Sequence, residues 1–422
     1  MFTKIKRGYN GYPNTFKVLT LATFIDMLGF FLLFPFYALY ITEHFGVGMI
    51  QVGILFSIFS AGNIIGGTIG GALADKYGRR VMIIIGLVTS GIGSISMGLV
   101  NNLNFFYLIA GVLGLMGNFG GPARQAMVAD LLPKEKQAEG FGILRVAFNL
   151  SAVIGPILGG FLATRSFLLL FIADAISSLI TAVIVFLVIP ETKPQDKVNE
   201  SKETIMKTIL GYKEVLKDGV FVLFLLVSAI IVLVYMQMNS TLSVFLRDVH
   251  GFSAQKFGFL LAMNALMVVL FQIWITRKIS KFAPMKMMAL GTLFYMIGFG
   301  MYGFISAVYF FFIAMVIITI GEMIVTPVAQ AAVASFAPED MRGRYMAVFG
   351  FQWAIPNLFG ILVAGLIWEY LGPNWVWYFA GILSLLSIIG FWLLHGVTKQ
   401  RFTKEKEAYG DELLESPISS IE

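Results

Sequence analysis

The chain has 422 residues, of which 58% are hydrophobic and 13% charged, with a mean hydropathy of +0.83. That charged share is about half of the ~25% of an ordinary soluble domain, and the apolar residues fall in long runs, so a soluble fold is excluded and a polytopic all-α membrane protein is implied. With no cysteine and only three scattered histidines (His44, His250, His395), disulfide, thiolate and zinc chemistry are excluded, no metal or cofactor is expected, and the net charge of +6 reads as a topological signal with no nucleic-acid partner behind it.

Apolar runs of about 20 residues predict helices over 16–40, 50–74, 80–100, 104–130, 138–163, 166–189, 219–246, 254–276, 285–304, 307–334, 343–370 and 374–397. The first run is too long for the apolar core of a cleavable signal. With the N-terminus inside, 25 of the 30 Lys and Arg lie in or beside inner segments. Only Arg165, Arg247 and Lys256 lie outside, and Arg124 and Arg145 fall within spans. This asymmetry predicts twelve spans with both termini cytoplasmic, in a cell (inner) membrane.

Sliding the chain by 205 residues without a gap superposes Gly46 on Gly251, Gly53 on Gly258, Lys76 on Lys281 and Gly86 on Gly291. Between 122–160 and 327–365, eight of 39 positions are identical, among them Pro122/Pro327, Gln125/Gln330 and Gly160/Gly365. Two six-helix halves follow, 1–189 and 219–397, as parallel repeats around a midplane site. Residues 190–218 form a cytoplasmic linker, in which Ile205, Ile209, Tyr212 and Leu216 predict a helix lying on the inner leaflet. A polar, frayed cytoplasmic tail is expected over 398–422.

Between the second and third spans stands Gly71-Ala72-Leu73-Ala74-Asp75-Lys76-Tyr77-Gly78-Arg79-Arg80. Here the sequence resembles the major facilitator superfamily, whose signature in this loop is G-x-L-a-D-r-x-G-r-k. The resemblance extends over essentially the whole chain and implies a fold of twelve helices in two pseudo-symmetric halves. It also implies that the loop latches one conformation, with Asp75 and Arg79 bonding across the seam between halves and Asp130 as the partner of Arg79. In the second half the loop reads Arg277-Lys278-Ile279-Ser280-Lys281, so the latch is one-sided. Gly155-Pro156-Ile157-Leu158-Gly159-Gly160 is similar to the G-P-x-x-G-G element of the drug:proton antiporter branch. There proline kinks the helix and the glycines admit a neighbour from the other half.

Three acids lie within spans: Asp26, Asp174 and Glu322. An ionised carboxylate at the bilayer centre costs at least ~2.5–3.5 kcal/mol, so each implies a partner or a wet cavity. Asp26 and Glu322 lie on spans that line the cavity in the family and are the expected proton sites. Asp174 is on a support helix, where a structural hydrogen-bonding role is expected. Arg124 and Arg145 must each meet a carboxylate, carbonyl or water, and either would hold Asp26 or Asp130 deprotonated. The stretch from Phe105 to Ala123 lacks the mid-span arginine that many drug antiporters carry, which makes Arg124 a displaced substitute. Asn149, Gln237, Asn239, Asn264, Gln352 and Asn357, with Phe30, Phe34, Tyr235 and Trp353, are the expected cavity wall, apolar with few hydrogen-bonding groups.

No G-x-x-x-x-G-K-S/T is present, so nucleotide-driven transport has no support and coupling falls to ions. The sequence therefore reads as a proton-coupled secondary transporter, acting on small molecules as a monomer in the bilayer, and most similar to multidrug exporters. A proton symporter importing a neutral sugar or peptide, and a non-transporting receptor, are the rival readings. A membrane enzyme is disfavoured because no nucleophile, base or metal constellation is legible.

Overall fold

The structure, a computed structural model, describes residues 11–193, 212–338 and 341–415. Among them no strand occurs. In chain order the helices are α1 (Asn14–Leu33), α2 (Tyr37–His44), α3 (Met49–Tyr77), α4 (Arg79–Leu99), α5 (Leu103–Gly117), α6 (Gly120–Leu131), α7 (Lys134–Ala163) and α8 (Phe167–Val188). After the linker come α9 (Gly219–Met236), α10 (Thr241–His250), α11 (Ala254–Ile279), α12 (Pro284–Tyr302), α13 (Val308–Phe336), α14 (Arg342–Phe349), α15 (Phe351–Leu371) and α16 (Pro373–Glu415). Ile205 and Ile209 of the expected interfacial helix lie outside the described residues. The expected frayed tail is corrected: α16 continues to Glu415, through a stretch rich in Lys, Glu and Leu that favours helix.

Counting α1 with α2, α5 with α6, α9 with its 3-10 turn, and α14 with α15, eleven elements are long and apolar enough to cross a bilayer. The helix α12, expected as a further span, is 19 residues long, and Lys286, three glycines and two tyrosines dilute its hydropathy. Large side chains stand exposed along these helices, Leu187 at 72% and Ile273 at 68% among them, as suits a lipid-facing surface and would be a liability in water.

The expected spans are interrupted where the backbone runs short of donors. Pro35 brings a 3-10 turn at Phe34–Phe36. Pro122 has no N–H for the carbonyl of Asn118, which instead accepts from Gly121 N at 3.3 Å, and the fourth span breaks into α5 and α6 there. Asn118 Nδ2 then donates to the Asn63 carbonyl at 2.9 Å, tying the break to α3.

The chain divides into two compact units. The first comprises Met1–Glu200, Met236–Val269 and Asn357–Pro373, and the second Ser201–Tyr235, Leu270–Pro356 and Asn374–Glu422. Within the first unit, the 205-residue repeat reappears as paired close packing. A Cβ on Gly53 would meet Leu362 N at 2.8 Å, and one on the equivalent Gly258 would meet Pro156 C at 3.1 Å. A Cβ on Gly160 would meet Gln255 Cα at 2.9 Å, and one on the equivalent Gly365 would meet Ile50 N at 2.9 Å. Backbone-to-backbone approach of this kind replaces the hydrophobic drive that lipid cannot supply. Polar ties reinforce this end: Glu369 Oε1 accepts from Ile50 N at 3.0 Å, and Arg247 donates to the Leu39 carbonyl at 3.2 Å and to Thr42 Oγ1 at 2.9 Å.

Candidate functional site

At the other end of the first unit, a core of Phe16, Leu19, Met82, Ile83, Met127, Val128 and Val185 packs around the Asp75 loop. Arg79 is the first residue of α4, and its guanidinium forms an ion pair with Asp130 at the end of α6 and donates to the Ala126 carbonyl at 3.2 Å. The expected Arg79 partner is present, but the pair joins α4 to α6 inside the first half, so its place at the seam between halves is corrected. Asp75 is exposed and, among the described residues, takes no ion pair. Its expected role falls to Glu191, just past Pro190, whose carboxylate accepts from Arg79 N at 2.8 Å and Arg80 N at 3.2 Å. A carboxylate at a helix N-terminus satisfies orphan donors and complements the dipole. Gly78 makes room for it with φ +109°, and a Cβ there would meet Glu191 Cδ at 2.7 Å. Lys193 Nζ also donates to the Lys76 carbonyl at 2.8 Å, and Arg80 donates to the Phe186 carbonyl, so the start of the linker is strapped to this loop.

Deeper in the same unit lies a cavity of about 400 Å³ lined by residues of α1 to α8. Asp26 is buried on its wall, and Arg124 Nη2 donates to Asp26 Oδ2 at 2.8 Å. The break before α6 lets the chain deliver this arginine, which the sequence places beyond mid-span. Asp174, expected to hydrogen-bond from a support helix, accepts from the Ser94 hydroxyl and also lines this cavity. Ser178, one turn along α8, donates to Asp26 Oδ1 at 3.4 Å. Phe30 and Phe34 stack at 4.8 Å and line the apolar side with Phe59 and Phe141.

The second unit holds a cavity of about 150 Å³ around Glu322, lined also by Tyr235, Tyr295, Gln330, Gln352 and Trp353. Tyr235 donates to Glu322 Oε1 at 3.0 Å. The two cavities are copies of one another under the 205-residue shift: Phe30, Ile83, Ser90, Gln125 and Leu144 of the first correspond to Tyr235, Met288, Tyr295, Gln330 and Phe349 of the second. Their chemistry has been exchanged. Asp26 and Arg124 correspond to Ile231 and Ala329, whereas Glu322 corresponds to Gly117.

Other expected residues are placed elsewhere. Arg145 is exposed, does not line the cavity and makes no ion pair among the described residues. Asn149, Asn264, Gln237, Asn239 and Asn357 line neither cavity. Gln237 is buried in packing, donating to the Gly360 carbonyl at 3.2 Å and accepting from Thr241 at 2.6 Å. The Gly155-Pro156 element is half corrected: a Cβ on Gly155 would meet Leu32 N at 3.0 Å and one on Gly159 would meet Leu32 C at 3.0 Å, both in the first half, while Pro156 and Gly160 meet α11 of the second. Glu191 is the residue that sequence reading passes over, and the place of Asp174 on the cavity wall is the feature it does not give. Helical spacing of Asp174 with Ser178, and of Ser90 with Ser94, was the available signal for the second.

The sequence matches the Major Facilitator Superfamily over residues 19–355 and again over 254–420. The chain belongs to the Major Facilitator Superfamily. Among curated relatives, a Na(+), Li(+), K(+)/H(+) antiporter of Planococcus maritimus is 26% identical over 412 residues, spanning 91% of this chain and 96% of that protein. The multidrug resistance protein MdtH of Shigella flexneri is 25% identical over 86% of this chain and 90% of its own. Among solved structures, the nucleoside transporter NupG superposes with a TM-score of 0.78 at 12% identity, covering 90% of this chain and 99% of that one. A POT family transporter in complex with a thioalcohol conjugated peptide gives 0.78 at 17%, covering 93% and 98%. These two establish the superfamily fold. The protein is thus a multi-pass membrane transporter and not an enzyme, acting on small molecules within a bilayer.

Proposed function

We propose that this superfamily member is a proton-coupled antiporter that exports amphiphilic or cationic small molecules across the cell membrane by alternating access. Asp26 and Glu322 carry the protons, and the Arg79–Asp130 pair with its Glu191 cap biases the conformational equilibrium. The observation that carries this reading is the Asp26–Arg124 pair at 2.8 Å on the wall of an aromatic-lined cavity of about 400 Å³. A cavity of that size takes a drug-sized ligand, and a buried acid within a span marks an ion or substrate pathway. The names of the two curated relatives, one an alkali cation/proton antiporter and one a multidrug resistance protein, support exchange of a cation or drug for a proton. One proton falling through ~100 mV supplies ~2.3 kcal/mol, enough to hold a neutral compound at nearly a fiftyfold gradient at ~1.4 kcal/mol per tenfold. Exchange of a monovalent cation for one proton feels the pH gradient alone, and the two acids allow a second proton that restores the electrical component. The 25-to-3 distribution of basic residues supports twelve crossings, the 19-residue α12 included, with both termini cytoplasmic.

The test uses everted vesicles, a pH-sensitive dye and a panel of cationic, neutral and anionic compounds with Na(+) and K(+). Antiport gives proton efflux from acidified vesicles on addition of substrate. Proton and compound moving in the same direction makes the protein a symporter, and no compound-dependent proton flux refutes transport coupling altogether.

A further inference from the structure

Asp174 is the acid that this scheme leaves unused, and its surroundings are those of a ligand-reading group. It is 7% exposed on α8 and lines the Asp26 cavity. Ser94 donates to Oδ2, and Oδ1 stands beside Gly29, 3.0 Å from where a Cβ on that glycine would lie, in a space that the Ser177 side chain also enters. Among the described residues no basic side chain pairs with Asp174, and Arg124 is committed to Asp26. The groups that face it are Asp26 from α1, Tyr37 from α2 and Ser94 from α4. From α7 the cavity receives Phe141 and Leu144 and no titratable group. Ser178, one turn from Asp174, lies 3.4 Å from both Asp26 Oδ1 and Ser90 Oγ.

The charge count of the cavity then decides the argument. Two carboxylates and one guanidinium leave one negative charge uncompensated, and an uncompensated charge within the hydrocarbon region costs at least ~2.5–3.5 kcal/mol. Either a proton or a monovalent cation must occupy the second acid. We propose that Asp174 is the exchange position of this cavity, holding a proton in one half of the cycle and a monovalent cation in the other. The step balances as carboxylic acid plus cation giving carboxylate–cation pair plus a released proton, which leaves by the cavity. This inference rests on the antiport reading and names its substrate class. Phe30, Phe34, Phe59 and Tyr37 around the acid offer π-faces and apolar area to an organic cation. The hydroxyls of Ser90, Ser94 and Ser178 offer oxygens to an alkali ion. The chemistry common to both is a single positive charge.

The experiment titrates the purified full chain in nanodiscs with tetraphenylphosphonium, in buffers of different ionisation enthalpy so that released protons are counted, with Na(+) and K(+) as competitors. Asp174→Asn keeps an acceptor for Ser94. It should weaken tetraphenylphosphonium binding about tenfold or more, ~1.4 kcal/mol per tenfold, and lower proton release by about one per cation bound, with the thermal midpoint unchanged. Asp174→Glu should regain the proton. Competition by Na(+) or K(+) in the wild type that disappears in Asp174→Asn assigns the alkali ion as a cation of this site, and its absence assigns the organic cation. Wild-type affinity and proton count in Asp174→Asn overturn the proposal. So does a lowered thermal midpoint with cationic and neutral compounds lost alike and not regained in Asp174→Glu, and so does a wild type that binds none of the three cations. Failure of the antiport reading is distinguishable, because it shows as absent proton flux in vesicles of the unaltered protein.

Discussion

The paired glycines make a quantitative test of alternating access. In Gly53→Ala the new methyl group would stand 2.8 Å from Leu362 N, and in Gly258→Ala 3.1 Å from Pro156 C, with the Pro156 carbonyl oxygen nearer still. Ordinary carbon contacts begin near 3.4 Å, so α3 must withdraw from α15, and α11 from α7, by several tenths of an ångström. Overpacking of this kind costs ~1–3 kcal/mol. Only the conformation with this end packed bears the cost, so the equilibrium should move roughly 5- to 150-fold toward the conformation in which the helices part. The chain contains no cysteine, so the pair Arg165→Cys and Val249→Cys gives a clean spin-label distance across this end. Gly142→Ala, where nothing lies within 4 Å, is the control. Longer distances should grow in population in Gly53→Ala and Gly258→Ala and stay at wild-type level in Gly142→Ala. Identical distance distributions in all three would refute the claim that glycine packing holds this end closed.

Further outcomes follow from the same geometry. Arg124→Gln leaves Asp26 buried without its cation and should destabilise the protein by ~3–5 kcal/mol, while the double variant with Asp26→Asn regains most of the loss, as read from thermal midpoints in detergent. Glu322→Gln should abolish uphill, proton-driven movement yet permit downhill exchange, because a permanently neutral side chain mimics the protonated acid; Tyr235→Phe, which removes the 3.0 Å donor, should weaken coupling less, both measured as counterflow against driven uptake in liposomes. Glu191→Ala removes two backbone bonds at the start of α4 and should cost ~0.5–2 kcal/mol, slowing transport with substrate affinity nearly intact; a matching loss of affinity would argue against a conformational role. Reporters fused after Pro194 and at the C-terminus should both report the cytoplasm, and an external signal from either would overturn the topology.

Apolar run length, the 205-residue repeat and the Gly71–Arg80 loop determine the membrane class, the helix positions and the superfamily, because a bilayer demands long uninterrupted helices whatever they pack against. The same rule makes Asp26, Asp174 and Glu322 conspicuous in the sequence, since lipid tolerates no idle charge. Which helix face meets which is another matter. In water an apolar stripe points to the core, but here protein interior and lipid are equally apolar, and helices such as α1 and α9 carry little contrast between their faces. Only the tertiary structure therefore decides that the break at Asn118 brings Arg124 to Asp26, and that Asp174 turns into their cavity. It alone brings Glu191 to a helix start 112 residues earlier in the chain. Equally, Gln125 and Gln330 are visible as a repeated identity, but their common role at the walls of two copied cavities appears only when the helices on either side of each have been assembled.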